Sequence, residues 1–467
     1  MDNPQWRNEL VDIFGGEVTF SGAHSPDDLH DESLHSRRSD PLAVVRPRTT
    51  AQVQAVLRWA SEHDVAVTAR GSGTGLSGGA TPLPEGIVVA FDRMKDILRL
   101  DVNDHVCVVQ PGLTLRELDD YLQESGLHYP VYPGELSASL GGNVATNAGG
   151  MRAVRHGVTR HHVLGLEIVL ADGTVVRTGG PVVKSSSGYD LTQLLIGSEG
   201  TLALVTEVTL RLSPRLANST TLLVPFSTLR EVTSVVPQLI TLGLEPSVLE
   251  YIDFLTMASL IKSAELVLGI EAAIAEAAFA YLVVVLETRT AEQIDLDLAA
   301  AAEVLAAAGA LEVYVLSGPS ATQLIRARER LFWTAKASGA NEIIDVVVPR
   351  SAVAEYLENV SSLAASHGSF VAGCGHVGDG NVHLSVFQPN AAAREAFLME
   401  LFRVGVAMGG AISGEHGLGM DKQKPYLALT DPTLINLQRR IKQVFDPQGL
   451  LNPLRHVDAA TFKFEVD

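Results

Sequence analysis

The run R-G-S-G-T-G-L-S-G-G at positions 70–79 constrains the fold of this 467-residue chain more than any other segment. Within it, Gly73 to Gly78 spell G-x-G-x-x-G, and Asp92 stands near the acidic position expected of a dinucleotide-binding βαβ unit. Such a unit needs a helix to open on the glycines. Here Pro82 and Pro84 follow closely, and the apolar run 86–91 reads as a strand. The segment is therefore a loop between strands, outside the Rossmann class, whose free N–H groups suit an anion-binding nest. A second run, L-G-G-N-V-A-T-N-A-G-G at 140–150, reads as another loop. With the uncharged donors Thr74, Ser77, Asn143, Thr146 and Asn147, two such loops suit a ligand with two ends, and a nucleotide cofactor is expected.

A second constellation lies far along the chain. His376 and His383 bracket a G-D-G-N turn, with apolar and β-branched residues on either side, so the stretch reads as a hairpin that brings the two histidines opposite one another. Glu415 and His416 follow between Gly414 and Gly417. Two imidazoles and a carboxylate leave open positions on a divalent ion, as a catalytic metal site requires, and one histidine is left over.

Composition narrows the setting. With 46% hydrophobic and 19% charged residues the chain can bury the cores of at least two domains. A formal charge of −19 argues against nucleic acid as a partner, because phosphate contacts need clustered Lys and Arg. Cys107 and Cys374 are too few for a disulfide framework, which favours a reducing compartment. No leader pattern opens the sequence, and the most apolar stretch, 264–286, carries three glutamates. A cytoplasmic protein is expected, with peripheral attachment to a membrane left open.

Periodicity organises the rest. After a polar opening with little pattern, helices at 50–64 and 115–123 alternate with strands at 65–68, 86–91, 107–110, 165–170, 174–177 and 201–212, closed by Pro214. From 218 onward, strand 220–224, helix 229–242, strands 247–251 and 281–287, helix 291–308 and strand 311–316 form β-α-β-β-α-β, an α+β sheet covered on one face. A helix at 321–337, a strand at 342–348, a further helix and the histidine hairpin come next, followed by a helix at 433–444.

Six motifs in order carry a resemblance: the two glycine runs, I-G-S-E-G-T-L at 196–202, G-H-V-G-D-G-N-V-H at 375–383, S-G-E-H-G at 413–417 and F-D-P-Q-G-L-L-N-P at 445–453. Together they resemble the FAD-linked D-2-hydroxyacid dehydrogenases of the vanillyl-alcohol oxidase-type flavoprotein superfamily, a group that includes D-lactate dehydrogenase, the glycolate oxidase large subunit and D-2-hydroxyglutarate dehydrogenase. The fold implied is α+β, a two-subdomain FAD-binding domain of the vanillyl-alcohol oxidase type plus a ferredoxin-like cap domain. Its expected limits are an N-terminal segment at 1–40, the FAD-binding domain at 41–214, the cap with its metal-binding hairpin at 215–410, and a segment at 411–467 returning to the FAD domain.

The same resemblance implies roles for residues. Arg70, Gly71, Ser72, Gly73, Thr74, Gly75, Leu76, Ser77 and Gly78 would cradle the FAD pyrophosphate. Pro133, Gly134, Gly141, Gly142, Asn143, Thr146, Gly149 and Gly150 would line the flavin, with further contacts from Glu199, Gly200, Val205 and Asn452. The first loop has Thr74 and no histidine, so FAD is expected to be held non-covalently. His376, His383 and Glu415 would ligate a divalent metal (zinc, manganese or iron), and His416 would touch the substrate as its base.

The implied activity is oxidation of a small D-2-hydroxyacid, D-lactate or glycolate in kind, by hydride transfer to flavin N5. Electrons would pass to an electron-transfer flavoprotein or a quinone, and a homodimer is a further expectation. The alternatives are a D-2-hydroxyglutarate dehydrogenase and a non-catalytic FAD-binding subunit of a glycolate oxidase-type complex. One departure stands out: Lys336 occupies the place where the family carries an arginine for the substrate carboxylate. Ile343 and Ser385 also depart from the dicarboxylate branch. Arg326, Arg328 and Arg330 are nearby alternatives for the carboxylate, though as a run on one predicted helix they read more readily as a solvated face.

Overall fold

The computed structural model describes residues 4–35 and 38–457. The first sheet has four strands in the order Val18–Phe20, Ala43–Val45, Ile87–Ala90, Val67–Arg70; the first pair is antiparallel and the others parallel. Helix Thr50–His63 starts where the Thr49 side chain accepts the Gln52 N–H, and it ends at Asp64, which has φ 55°. Its Val53, Val56, Leu57 and Ala60 share a core with Val67, Ile87 and Val89. The opening thought patternless contains helix Pro4–Phe14, which buries Leu10 and Phe14 in the same core. Trp6 and Ile13 pack against it too, so the helix carries an i, i+4, i+7, i+8 apolar face that periodicity could have found.

The second sheet is antiparallel throughout, in the order Ile97–Asp101, Val106–Val109, Leu204–Arg211, Val163–Val169, Val175–Gly179. Helix Leu115–Leu122 covers it and opens on a full capping box between Thr114 and Glu117. One expectation fails here: 140–150 is not all loop, because Leu140–Thr146 is a helix capped by the Ser139 side chain. Its glycines serve close packing, since a Cβ at Gly141 would lie 2.6 Å from Pro111 Cβ.

The third sheet has seven strands, antiparallel throughout, in the order Tyr314–Val315, Asn218–Phe226, Ala280–Thr288, Val248–Asp253, Phe370–His376, Asn381–Phe387, Glu342–Val347. The first four carry the β-α-β-β-α-β order of a ferredoxin-like unit, and the histidine hairpin extends that unit edgewise. Coverage on one face only is overturned. Helices Leu229–Thr241, Ala291–Ala307, Val353–Ser366 and Ala391–Ala407 fill one face, while Phe254–Ala264 and Gly318–Glu329 fill the other. The continuous run L-V-V-V-L at 282–286 carries this signal, since a strand buried on both faces loses its polar alternation. The single helix expected at 321–337 is two, Gly318–Glu329 and Leu331–Ala337.

The tail closes back onto the first sheet. The Val67 N–H donates to Leu450 O, and the Asn452 N–H donates to Val67 O at 2.7 Å. Buried Lys442 secures this return with bonds to Asp446 and to the carbonyls of Thr201 and Leu451. Among the described residues no helix is long and apolar enough to cross a membrane.

Candidate active site

The hairpin forms as expected, but its register is shifted. His376 pairs with Asn381, and Cys374 pairs with His383, so the two histidines are diagonal neighbours rather than opposite one another. Diagonal positions on one face still place long side chains in reach; the ring centroids are 4.8 Å apart. Asn381 pins the turn by donating to the carbonyls of Asp345 and Val346 on the adjoining strand.

Asp345, on that strand, organises the second half of the site. Its Oδ2 accepts the N–H groups of Gly414, Glu415 and His416 at 3.0, 2.9 and 2.8 Å, Ser413 Oγ donates to it, and the Lys422 ammonium binds Oδ1. The carboxylate is fully buried. Burial opposes its charge, yet His416, Lys422 and the ring of donors lower its pKa to about 2. The loop so held delivers Glu415 to the hairpin, with Oε1 3.3 Å from His376 Nε2 and 3.2 Å from His383 Nε2. Donor atoms of His376, His383 and Glu415 all lie within 4.8 Å of one another.

Behind His376 stands Glu250, whose carboxylate oxygens lie 3.0 and 3.1 Å from Nδ1. A carboxylate there fixes the tautomer that turns the Nε2 lone pair toward Glu415. Burial disfavours charge on His376, but Glu250 and Glu415 outweigh it and raise the imidazole to about 10, so a proton occupies ground suited to a cation. His383 Nε2, buried and 3.2 Å from Glu415 Oε1, makes no well-directed hydrogen bond. This donor set, two imidazole nitrogens facing one carboxylate with the His376 imidazole braced by another, fits a divalent ion.

His416 stacks on His383, with centroids 5.2 Å apart and planes at 29°. Its Nδ1 lies 3.6 Å from Asp345 Oδ1 and is buried without a hydrogen-bond partner. Burial lowers its pKa to about 4 against the pull of Asp345, so the ring is neutral at neutral pH and free to accept a proton.

Two cavities meet at this point. The larger, about 520 Å³, is lined by Arg70, Gly71, Ser72, Gly73, Thr74, Gly75, Leu76 and Ser77 from the first loop and by Pro133, Gly134, Gly141, Gly142, Asn143, Thr146 and Gly149 from the second region. Glu199, Gly200, Val205 and Asn452 complete that wall. The smaller, about 110 Å³, is lined by His376, His383, Glu415, His416 and Gly150. Leu76, Pro133, Gly134, Glu329, Phe332, Glu415 and His416 line both. The large cavity has the size of a cofactor site, and Asn143 Nδ2 and Asn452 Oδ1 on its wall are buried without partners. These residues fit a large polar ligand such as FAD.

Some residues stand elsewhere or act differently. Gly78 lines neither cavity and packs against Met420 and Asp421. Arg70 lines the large cavity, but its Nη1 donates to His30 O, bracing the loop from beneath. The Glu199 carboxylate accepts the N–H groups of Leu418 and Gly419 and so ties the wall of the large cavity to the loop that follows Glu415 and His416. Lys336 is not at the site: its ammonium pairs with Glu32 at 3.2 Å, rests on the rings of Phe332 and Trp333, and lines neither cavity.

The cation at the site is Arg328, one of the alternatives to Lys336 though read more readily as solvated; it is only 12% exposed, 3.1 Å from Glu250 and lines the small cavity. Nη2 is the atom that meets Glu250, and Nε makes no hydrogen bond. Arg326 and Arg330 are exposed as expected. A signal did exist: Leu324 and Ala327 are the buried face of that helix, and Arg328 follows Leu324 by four. Glu250 and Asp345 had no comparable local signal.

Comparison with known proteins agrees with this geometry. Residues 41–179 match the family described as FAD binding domain, and residues 215–455 match FAD linked oxidases, C-terminal domain. The chain is 49% identical over 443 residues to an uncharacterized FAD-linked oxidoreductase of Mycobacterium tuberculosis, covering 95% of this chain and 96% of that protein. It is 37% identical over 454 residues to a D-lactate dehydrogenase of Archaeoglobus fulgidus, covering 96% and 98%. The fold superposes on p-cresol methylhydroxylase with a TM-score of 0.77 at 18% identity, covering 98% of both chains.

Proposed function

Because this chain belongs to the FAD-linked oxidoreductases of the D-lactate, glycolate and 2-hydroxyglutarate dehydrogenase family, we propose that it oxidises a small D-2-hydroxyacid to the 2-oxoacid. The observation that carries this reading is the convergence of His376, His383, Glu415, His416 and Arg328 on one small cavity that shares a wall with the large one. FAD, held non-covalently by the two glycine segments, supplies the hydride acceptor. A divalent metal held by His376, His383 and Glu415 supplies Lewis-acid polarisation of substrate oxygens.

The chain's own side chains do the rest. His416, neutral and lacking a partner at Nδ1, accepts the hydroxyl proton. Asp345 orients the loop that carries it. Arg328, held by Glu250 through Nη2, takes the role first expected of Lys336 and offers its charge and its Nε, which makes no hydrogen bond, to the substrate carboxylate. Electrons leave for an electron-transfer flavoprotein or a quinone, in a cytoplasmic setting.

The test is anaerobic. Protein loaded with FAD and a divalent metal should lose its flavin colour on mixing with D-lactate or a similar acid. The His416→Ala variant should keep the oxidised flavin spectrum and reduce about 10²–10⁴-fold more slowly. Reduction at near wild-type rate would remove His416 from the proposed role, and a protein that takes up no FAD would sink the reading entirely.

A further inference from the structure

Lys336 lines neither cavity, yet each of its contacts is with a residue that lines the large one. Its ammonium, on a side chain 40% exposed, lies 3.2 Å from Glu32 and 5.1 and 5.6 Å from the ring centroids of Trp333 and Phe332. Glu32, Phe332 and Trp333 are all on the wall of the large cavity. Trp333 is also 43% exposed, so the ring that carries the ammonium stands at the cavity's mouth.

The two ends of this contact belong to different parts of the molecule. Glu32 comes from the N-terminal segment, which is stitched to the first glycine loop: the Glu32 N–H donates to Gly75 O at 2.9 Å, the Asp31 carboxylate accepts the Ala80 N–H, and Arg70 donates to His30 O. Lys336 comes from the cap helix Leu331–Ala337, in which Ala335 alone is buried. So short a helix cannot stand by itself, and one buried side chain gives it little core packing. At Arg330, with ψ 7°, the chain breaks from helix Gly318–Glu329, so the longer helix does not impose the tilt of the shorter.

We infer that Glu32 and Lys336 form a latch that holds this short helix, with its two rings, across the mouth of the large cavity and so slows the release of FAD. The inference rests on the FAD-binding reading and adds to it a contact that spans the cap and the glycine loop. Because the pair is partly exposed, its effect is modest and screened by salt, while the ammonium resting on two rings fixes the direction in which Lys336 points.

The test follows loss of cofactor rather than turnover. FAD-loaded protein is diluted, and the flavin appearing in an ultrafiltrate is measured over time. Lys336→Glu and Glu32→Lys, each of which sets like charges face to face, should release FAD roughly two- to fivefold faster than the native chain. Lys336→Met, which removes the charge without repulsion, should release it faster as well. The double variant Glu32→Lys/Lys336→Glu restores the pair with its ends exchanged and should release FAD more slowly than either single reversal. High salt should narrow the gap between the native chain and Lys336→Met. Release at the native rate from the single variants, additive effects in the double variant, or a gap that salt leaves unchanged would overturn the latch and leave the FAD-binding reading standing. A native chain that takes up no FAD would overturn both.

Discussion

Glu250 shows how much a single residue behind the ligands decides. It is 1% exposed, braced by Arg328, and aimed at His376 Nδ1 from 126 positions away in sequence. Its pKa is lowered, since Arg328 and His376 outweigh the burial that opposes its charge. Replacing it by glutamine keeps the shape but removes the charge that favours the metal-ready tautomer. Glu250→Gln should weaken divalent-metal affinity about 10–100-fold, read by titrating metal into the metal-free protein, while FAD binding is retained. Equal metal affinity in the two proteins would show that His376 needs no such brace. The clustering of His376 and His383 was legible because glycine-flanked histidines announce themselves locally; Glu250 was not, because only cross-strand packing brings it to the ring.

At the scale of elements, strand Glu342–Val347 and the loop 413–417 behave as one unit through Asp345. Three consecutive N–H groups, a hydroxyl and an ammonium converge on a carboxylate with no solvent exposure. Asp345→Asn would leave Lys422 buried without its counter-charge and should cost about 3–5 kcal/mol, measured by chemical denaturation. The catalytic loop should loosen with it, so that flavin reduction falls in the same variant. A fully stable Asp345→Asn protein would mean that the backbone donors find adequate partners without the charge. Hairpin and helix assignments from periodicity largely hold at this scale. The exceptions arise where tertiary packing overrides local pattern: Ser139 turns a glycine run into a helix start, and the break at Arg330 splits one predicted helix into two.

At the scale of the whole molecule, the junction between the FAD-binding portion and the cap holds a group of neutral histidines. His128, His156 and His162 lie beside Arg152 and Arg155, which meet Glu287 of the cap through a 3.5 Å ion pair and a bond to its carbonyl. Burial, reinforced by these arginines, lowers His128 to about 4 and His156 to about 3, and burial lowers His162 as well. Each folded pKa lies below the ordinary 6.5, so the unfolded chain binds more protons between those values. The contribution of these groups to stability is complete above pH 6.5 and is lost progressively as pH falls toward 4 for His128 and toward 3 for His156. Thermal melts should show Tm falling over that window, with a shallower fall in His156→Gln; identical slopes would exclude His156 as a source. The first glycine loop, outside the Rossmann class, and the hairpin were legible because turn chemistry and side-chain periodicity are local properties of the chain, whereas the second glycine run proved to be a helix and the proposed ligand and base roles came from the family resemblance. That Arg328 lines the small cavity while Lys336 lies outside it, which carboxylates brace the histidines and what shape the cavity takes were decided only by tertiary structure, because burial and pairing depend on residues some seventy to more than a hundred positions apart meeting across packed sheets.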